Sequence, residues 1–295
     1  MERKDKTTRR VIKGKHSALA GKPTQDFSAK TYWETRLKER FDLTGVGFRR
    51  KSVAFNRWVY KVRTEALWEL FRKYRWPIKS RAVLDVGCGT GYFIEYWLNR
   101  AAHPVIGIDI AETSIKKLKE TFSKAEFYVV DLTEPNPNLN ERFDYISVFD
   151  VLFHIVDDNL FAKAVENLAS LCKPGCKIFV TDLFGSKTVA GVKHCRNRSQ
   201  NIYVDTFSRS GFKLIDLNPL FFVLLPPSRL SNVILRWAGI LIWEAVTWIT
   251  RWEGMGNLLG RILYSADSVL RKMFKHGPGS HIAVFEFDGI PVEEQ

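Results

Sequence analysis

The stretch VLDVGCGTGYF, residues 83–93, constrains the fold more than any other part of the chain. An apolar run leads into Asp85, and glycine then occupies every second position, at Gly87, Gly89 and Gly91. Glycine has no Cβ atom and adopts backbone angles that other residues avoid, so this pattern predicts a strand that enters a tight turn before a helix. A ligand can approach such a turn closely and can bind the first amides of the helix.

The spacing of the glycines separates two kinds of nucleotide site. A dinucleotide fingerprint reads G-x-G-x-x-G and would need its third glycine at Tyr92, whereas this chain has it one place earlier. The pattern Asp-x-Gly-x-Gly-x-Gly after a strand resembles motif I of the class I S-adenosylmethionine (SAM) methyltransferases. The resemblance covers about residues 29–287 and is strongest over 81–182. It implies a SAM site formed by the residues of the turn: Asp85, Gly87, Cys88, Gly89 and Gly91.

Downstream of the turn, strand and helix patterns alternate. Strands are predicted over 105–109, 127–130, 143–149 and 177–181, with helices over 113–122 and 159–171. Such alternation predicts a parallel sheet with helices on both faces, which binds ligands at the carboxyl ends of its strands. We therefore expect a doubly wound, Rossmann-like α/β fold. The resemblance implies a seven-stranded sheet whose last two strands, starting at Phe212 and at Ser280, form a hairpin.

Acidic residues stand at the ends of these strands. Asp109 follows the second strand, where a carboxylate can accept hydrogen bonds from both hydroxyls of a ribose. Asp131 ends the third strand, where the resemblance implies a contact with the adenine amino group. Each acid alone could instead cap the next helix, but together with the glycines they favour a nucleoside site. The predicted cofactor contacts beyond the turn are Asp109, Ile110, Asp131, Leu132 and Asp150.

Two histidines are candidates for a general base. His154 lies in DVLFHIVDD, residues 150–158, which resembles the segment after the fourth strand of small-molecule methyltransferases that faces both methyl donor and acceptor. His194 lies in the basic loop 185–199, after the fifth strand. Histidine has an ordinary pKa near neutrality and can take a proton from a hydroxyl group. Each has a structural alternative, since His154 could brace its loop and His194 could be a surface residue.

The basic loop 185–199 is also where acceptor specificity is expected, because loops at the carboxyl ends of strands commonly carry it. Arg196 and Arg198 could orient a phosphate, carboxylate or polyol by forked hydrogen bonds, or could only precede the helix over 201–210. The chain shows no clustered set of histidine and carboxylate ligands, so no metal site is predicted.

Helical patterns flank the predicted core, 81–225. Residues 29–80 are predicted to form an N-terminal helical cap, in which Tyr32, Trp33 and Tyr60 either touch the ligand or pack in the core. Residues 226–278 are predicted to be a helical insertion, split at Gly254 and Gly256, before the core ends with 279–295. Its first half is rich in tryptophan. Its second half is amphipathic, with an apolar side formed by Leu259, Ile262, Ala266, Val269 and Met273.

Three interpretations of the insertion stay open: it packs on its own domain, forms a homodimer, or lies in a membrane interface. The formal net charge of +13 attracts nucleic acid, anionic lipid and acidic substrates alike. The basic arm, residues 1–28, is predicted to be disordered and either aids solubility or docks on lipid or RNA. Cysteines without framework spacing, and no N-terminal leader, predict a cytoplasmic protein, with peripheral membrane contact left open.

The sequence thus predicts a SAM-dependent methyltransferase, with S-adenosylhomocysteine as product. The expected acceptor is a small molecule that bears a hydroxyl group, such as a saccharide, a lipid-linked molecule or a natural product. Two alternatives stay open: an RNA methyltransferase, suggested by charge alone, and a SAM-binding protein without transfer activity. The Asn/Asp-Pro-Pro-Tyr segment that serves amino groups of nucleic acids does not follow the fourth strand, which disfavours a base-amino methyltransferase.

Overall fold

The computed structural model describes residues 28–135, 139, 142–190, 194–225 and 233–289. The predicted basic arm lies outside these ranges except for Ser28, as do residues 226–232 of the predicted insertion and the tail beyond residue 289. Across the described part of the chain, none of the helices has the length and apolar content needed to cross a bilayer.

Nine strands are described: β1 Val83–Val86, β2 Val105–Asp109, β3 Glu126–Val129, β4 Phe143–Phe149, β5 Cys172–Asp182, β6 Val189–Ala190, β7 Arg196–Asn197, β8 Phe212–Pro219 and β9 His281–Phe287. Seven of them form one sheet in the order β3-β2-β1-β4-β5-β9-β8, while β6 and β7 pair separately. The first five strands run parallel, and β9 lies antiparallel between β5 and β8. The predicted seven-stranded Rossmann-like sheet and its terminal hairpin are thereby confirmed.

The helices are α1 Ala29–Glu39, α2 Leu43–Val46, α3 Val53–Tyr74, α4 Tyr92–Leu98, α5 Glu112–Thr121, α6 Asp158–Ser170, α7 Gln200–Arg209, α8 Val233–Ile249 and α9 Glu253–Met273, with a 3₁₀ turn at Leu152–His154. Several begin at residues whose side chains accept hydrogen bonds from free amides of the first turn. Ser28, Asp42, Ser52 and Asp157 cap α1, α2, α3 and α6 in this way.

Both faces of the sheet are covered, which is why its central strands read as nearly continuous apolar runs. On one face, Leu84 and Ile108 pack in a buried cluster with Phe161 of α6 and Phe207 of α7. On the other, strand residues pack with buried side chains of α3, α4 and α5, among them Phe71, Trp97 and Leu118. Burying each such large side chain contributes roughly 1.5–3 kcal/mol, so the sheet is a rigid platform for the loops at its edge.

The fifth strand starts at Cys172, five residues before the start predicted at residue 177. Cys172 already pairs with Phe143, and a register shift then carries the strand past Gly175 to the pair between Lys177 and Tyr145. Gly175 adopts a φ of 76°, so the Pro-Gly segment makes a bulge within the strand and does not end the preceding structure.

The insertion breaks at a different place from the predicted one. Gly254 and Gly256 lie inside α9, and the break falls between α8 and α9 at residues 250–252. A Cβ atom on Gly256 would lie 1.9 Å from Ser52 Oγ, and one on Gly260 would lie 2.4 Å from Trp58 Cδ1. Both glycines therefore permit the close approach of α9 to α3, and neither ends a helix.

The apolar side of α9 that stands out in the sequence is not the side that packs. Ile262, Val269 and Met273 are exposed, whereas Gly256, Gly260 and Asp267 are buried. Asp267 accepts hydrogen bonds from the main-chain N–H groups of residues 222–224, which precede the insertion. α3 supplies further polar partners, since Glu65 binds both Tyr264 and Arg271. Polar complementarity, more than apolar burial, decides how α9 lies on the domain.

Candidate functional site

The glycine turn is held to the end of the neighbouring strand. Gly87 and Gly89 adopt φ values of 68° and 52°, in the left-handed region where a side chain is strained. The N–H groups of Gly87 and Cys88 donate to the Ile108 carbonyl at 2.8 and 3.0 Å. The Gly89 N–H donates to Asp109 Oδ2 at 2.9 Å. The turn is therefore fixed before any ligand arrives.

A cleft of about 330 Å³ opens at the carboxyl ends of the parallel strands, where such sheets bind ligands. Eight of the residues predicted to form the site lie in its wall: Gly87, Gly89, Asp109, Ile110, Asp131, Leu132, Asp150 and His154. Asp85 and Cys88 line a smaller cavity that shares Gly87 and Gly89 with the cleft. Gly91 caps α4, and a Cβ atom there would lie 2.6 Å from Phe122, so packing also requires glycine at this position, and its contact with the cofactor stays a prediction.

Asp85 is buried behind the turn with one oxygen satisfied. Ser147 Oγ donates to Asp85 Oδ1 at 2.6 Å, while Oδ2 is buried without a hydrogen-bond partner among the described residues. Burial raises the pKa of Asp85 to about 7. An unpartnered buried acceptor is costly, so this oxygen is suited to an N–H donor of a ligand that lies on the turn.

Asp109 and Asp131 both make local hydrogen bonds. Asp109 accepts the N–H of Gly89 on one oxygen and that of Ala111, which precedes α5, on the other at 2.9 Å. Burial raises its pKa. Asp131 is exposed and accepts from the N–H and the hydroxyl of Thr133. These are turn contacts and not the helix caps considered as the alternative, since Ala111 precedes α5 without a side-chain cap and Thr133 lies in a turn. The contacts of both acids with ribose and adenine stay predictions.

A second cavity of about 340 Å³ adjoins the cleft. The two share Trp33, Val46, Tyr60, Asp150 and His154, so residues of the N-terminal helices separate the cofactor side from the other. We call this second cavity the acceptor cavity. The rest of its wall includes polar side chains from α1, α3, β5 and the loop after β6: Arg36, Arg63, Asp182, His194 and Cys195. Trp33 and Tyr60 line both cavities, which supports the expectation that cap aromatics lie near the ligand.

His154 lies at the junction of the two cavities. Its Nδ1 is 2.9 Å from the carbonyl oxygen of His194, and its ring is edge-on to Trp33 at 4.9 Å between centroids. Burial lowers the pKa of His154 to about 4, so the ring is neutral at physiological pH. A carbonyl can only accept, so Nδ1 carries the hydrogen and Nε2 the lone pair. The same bond braces the loop, so both roles considered for His154 are compatible.

His194 is half-buried and lines only the acceptor cavity of the two. Its ring stacks on Tyr32 at 4.7 Å between centroids. Burial, with the nearby Arg36 guanidinium, lowers its pKa. The interpretation of His194 as a surface residue is therefore wrong, and its catalytic role stays a prediction.

Two arginines in the wall of the acceptor cavity were not predicted as site residues from the sequence. Arg63 pairs with Asp150 Oδ2. Arg36 donates to Tyr32 Oη at 2.9 Å and to the carbonyls of Thr44 and Gly47, with no carboxylate within 4 Å of its guanidinium among the described residues. A weak indication was available for Arg63, which interrupts an otherwise apolar helical stripe. Arg36 depends on how α1 lies over the sheet, which local sequence does not reveal.

The two arginines of the basic loop do not line either cavity. Arg198 is fully buried, pairs with Asp158 at 3.0 Å and donates to the carbonyls of Ile155 and Asp157. Arg196 also pairs with Asp158. The expectation that they orient an acceptor is wrong for this geometry, because both pair with Asp158 and Arg198 also holds the loop that carries His154.

The fold brings together three atoms that could hold a metal ion, although the sequence predicts no metal site. One ligand atom each of His154, His194 and Cys195 lies within 4.8 Å of the others. The sequence gives no indication because the Cys and one His are about forty positions from the other His. Ligation would require the Cys195 thiolate, and burial raises the pKa of that thiol to about 11. A bound ion would itself favour the thiolate, and the same side chains also make a hydrogen-bond contact, since Cys195 Sγ lies 3.5 Å from His154 Nδ1.

Comparisons with known proteins agree with the site. A family model described as a methyltransferase domain matches residues 83–175. A ubiquinone biosynthesis O-methyltransferase from Bordetella avium is 34% identical over 110 residues, which cover 36% of this chain and 44% of the relative. One from Hydrogenovibrio crunogenus is 30% identical over 117 residues, covering 38% and 47%. The chain therefore spans less than half the length of these relatives.

Among solved structures, the magnesium protoporphyrin IX methyltransferase from Synechocystis PCC 6803 with bound SAM gives a TM-score of 0.50 at 15% identity. The match covers 67% of this chain and 92% of that one. At this identity the likeness concerns the fold. The residues present fit the same kind of ligand: Gly87 and Gly89 with Asp109 and Asp131 in the cleft, and Asp85 with one unpartnered oxygen in the adjoining smaller cavity.

Proposed function

We propose that this chain, a class I SAM-dependent methyltransferase by its domain at residues 83–175, methylates a hydroxyl oxygen of a small-molecule acceptor. One observation carries the proposal: a neutral, half-buried imidazole, His154, lies in the wall that the cofactor cleft shares with a second cavity. The relatives from Bordetella and Hydrogenovibrio are both named as O-methyltransferases, which supports an oxygen acceptor.

SAM supplies a methyl group activated by the sulfonium, and transfer forms an O–C bond as the S–C bond breaks and its electron pair goes to sulfur. The residues that would hold it are the main chain of the glycine turn, Asp109 for the ribose and Asp131 for the adenine. Asp85 Oδ2 would accept from a ligand N–H group. Positioning of the two reactants can supply several kcal/mol, roughly 7–11 in well-oriented cases.

The proton of the acceptor hydroxyl goes to His154 Nε2. Nδ1 donates to the His194 carbonyl, so the lone pair for the proton is on Nε2, and the same bond holds the ring in place. A pKa lowered to about 4 makes His154 a weak base, yet one that is neutral and ready at every physiological pH. Base assistance of this kind typically contributes 10²–10⁴-fold.

Arg36 would stabilise the negative charge that develops on the acceptor oxygen. Its guanidinium binds only neutral acceptors, a phenol oxygen and two carbonyls, so its charge is not compensated by a neighbouring carboxylate within the described residues. Fixed charges in a site with little water act strongly on a developing oxyanion. Arg63 differs, because Asp150 already compensates its charge.

A lipid-linked acceptor is favoured among the acceptor classes by one contact. Phe48, in the wall of the acceptor cavity, packs against Trp243 of α8 at 6.1 Å between ring centroids. The opposite side of α8 exposes large apolar side chains. An acceptor with an apolar tail could thus reach the cavity along this helix.

The test is transfer of labelled methyl from SAM into a fractionated cell extract, with lipid, polar small-molecule and RNA pools counted separately. Label is expected in the lipid or the polar small-molecule pool. The His154→Gln variant should lower kcat 10²–10³-fold with the Kd for SAM unchanged. His103→Gln is the matched control, because His103 is exposed and lines neither cavity. Label in RNA alone, or SAM binding without transfer to any pool, would refute the proposal.

A further inference from the structure

Helix α8 turns its polar side inward. Thr247 and Thr250 are buried and accept hydrogen bonds from the buried Lys51 Nζ at 3.0 and 3.2 Å. The outward positions are apolar: Trp237 and Leu241 are 59% and 70% exposed, and they recur at helical spacing with Trp248 and Trp252. A surface helix in water normally shows the reverse arrangement.

Helix α9 repeats the inversion. Its inner side carries Asp267, which binds three main-chain N–H groups, and Arg271, which binds Glu65. Its outer side exposes a stripe at spacings of three and four residues, formed by Met255, Leu258, Ile262, Val269 and Met273. Trp252 lies between the two helices, so the apolar exposure continues from one to the next. Apolar exposure on this scale marks an interaction surface.

Charges beside the stripe are unbalanced in sign. The acids of α8 and α9 are already engaged, since Glu244 pairs with Arg50, Glu253 accepts from the N–H groups of Val53 and Ala54, and Asp267 is buried. The cations next to the stripe are exposed: Arg251, Arg261, Lys272 and Lys275. Tryptophan with flanking cations on an apolar helix face is typical of a helix that lies in the headgroup region of a bilayer.

We propose that the outer faces of α8 and α9 dock this protein on the surface of an anionic phospholipid bilayer. A second copy of the chain is a poorer occupant, because the same cations would meet across the interface and each chain carries a net charge of +13. Anionic headgroups complement those cations, and the acyl region receives the tryptophan and aliphatic side chains.

The docking surface adjoins the acceptor cavity. Trp243, on the inner side of α8, contacts Phe48, and Leu225, just before the insertion, lines the same cavity. A helix with its side chains is about 10–12 Å across, so a bilayer on the outer side of α8 lies close to that wall. Docking as such is independent of the proposed function; only the consequence, that the acceptor is drawn from the lipid phase, rests on it.

The experiment is co-sedimentation of the full-length protein with vesicles of phosphatidylcholine and phosphatidylglycerol (70:30), without SAM or acceptor. The double variant Leu241→Glu/Trp248→Glu should lower the partition constant at least about tenfold, because two apolar anchors become anions. Trp68→Glu is the matched control: Trp68 is an exposed tryptophan on α3 that contacts Arg100, and its change should shift partitioning less than about twofold. Both variants keep the basic arm, so its contribution cancels.

Three single variants test the contribution of the exposed cations to binding. Each of Arg251→Gln, Arg261→Gln and Lys272→Gln should weaken binding to the anionic vesicles about fivefold and leave binding to pure phosphatidylcholine unchanged. Circular dichroism and the melting temperature verify that the variants fold. Equal partitioning of the parent and the Leu241→Glu/Trp248→Glu variant would overturn the proposal. So would a concentration-dependent dimer in the parent that this variant abolishes, with no binding to vesicles.

Discussion

The cofactor cleft and the α8–α9 pair arrange polar side chains in opposite ways. In the cleft, Asp109 and Asp131 lie at or just after the ends of β2 and β3 and His154 in the 3₁₀ turn after β4, and all three line a cavity above an apolar core. In α8 and α9, polar groups such as Thr247 and Asp267 are turned toward the protein, and the apolar stripe faces outward. The difference teaches that an amphipathic pattern identifies the residues that share a face, but does not identify the medium that the face meets.

The largest expected effect is a loss of SAM binding in the cofactor cleft. Gly89→Val should raise the Kd for SAM about a hundredfold, measured by calorimetry. The φ of 52° is strained for any side chain, and a Cβ atom would lie 2.9 Å from Val46 in the wall of the cleft. Gly175→Val is the control, since Gly175 also has a positive φ but lies in β5 with only Lys177 Nζ near, at 4.0 Å. Equal loss of SAM binding in both variants would show that strain alone is responsible.

A second prediction concerns the close packing of α9 on α3. Gly256→Ala should lower the free energy of unfolding by about 2 kcal/mol in urea denaturation, because its Cβ atom would lie 1.9 Å from Ser52 Oγ and 3.0 Å from the Thr250 carbonyl. Gly254→Ala, two residues earlier in the same helix, has nothing within 4 Å and should be neutral or slightly stabilising. The same loss in both variants would contradict close packing of α9 on α3.

The smallest effect concerns pH. Burial raises the pKa of Asp85 from 3.8 to about 7, so the folded state binds a proton more tightly than the unfolded state between these values. Its contribution to stability is fully present below about pH 4 and is lost as the pH rises through 7. Asp85→Asn cannot ionise, so its free energy of unfolding relative to the parent should rise by about 1 kcal/mol between pH 6 and pH 7. A difference that is constant with pH would contradict the raised pKa.

Much of the cleft was predictable because it depends on short-range patterns. The strands over 105–109 and 143–149 were predicted with the bounds that β2 and β4 have, since buried parallel strands are apolar runs that end at polar residues. The carboxyl ends of such strands meet at one edge, which is why Asp109, Asp131 and Asp150 line one cavity. Gly91 shows the limit, because the motif spacing does not separate a ligand contact from a packing position.

The acceptor cavity was less predictable because its walls come from distant segments. Arg36 and Arg63 reach it from α1 and α3, and His194 and Cys195 come from a loop more than a hundred residues later. Arg198, expected near the acceptor, instead forms a salt bridge with Asp158 and donates hydrogen bonds to carbonyls of the loop before α6. Which of several basic side chains faces a cavity depends on partners that the local sequence does not contain.

The amino-acid sequence by itself determined the parallel sheet, through the alternation of strands and helices, and the glycine turn, through spacing within one strand–turn–helix unit. The class of ligand followed from the resemblance that this spacing carries. Tertiary structure alone decided which faces of α8 and α9 pack. Periodicity distinguishes two sides of a helix, but burial goes to the side whose polar groups find partners, here Lys51 for α8 and the main chain before the insertion for α9. The side left outside is apolar, and what covers it is a property of the surroundings.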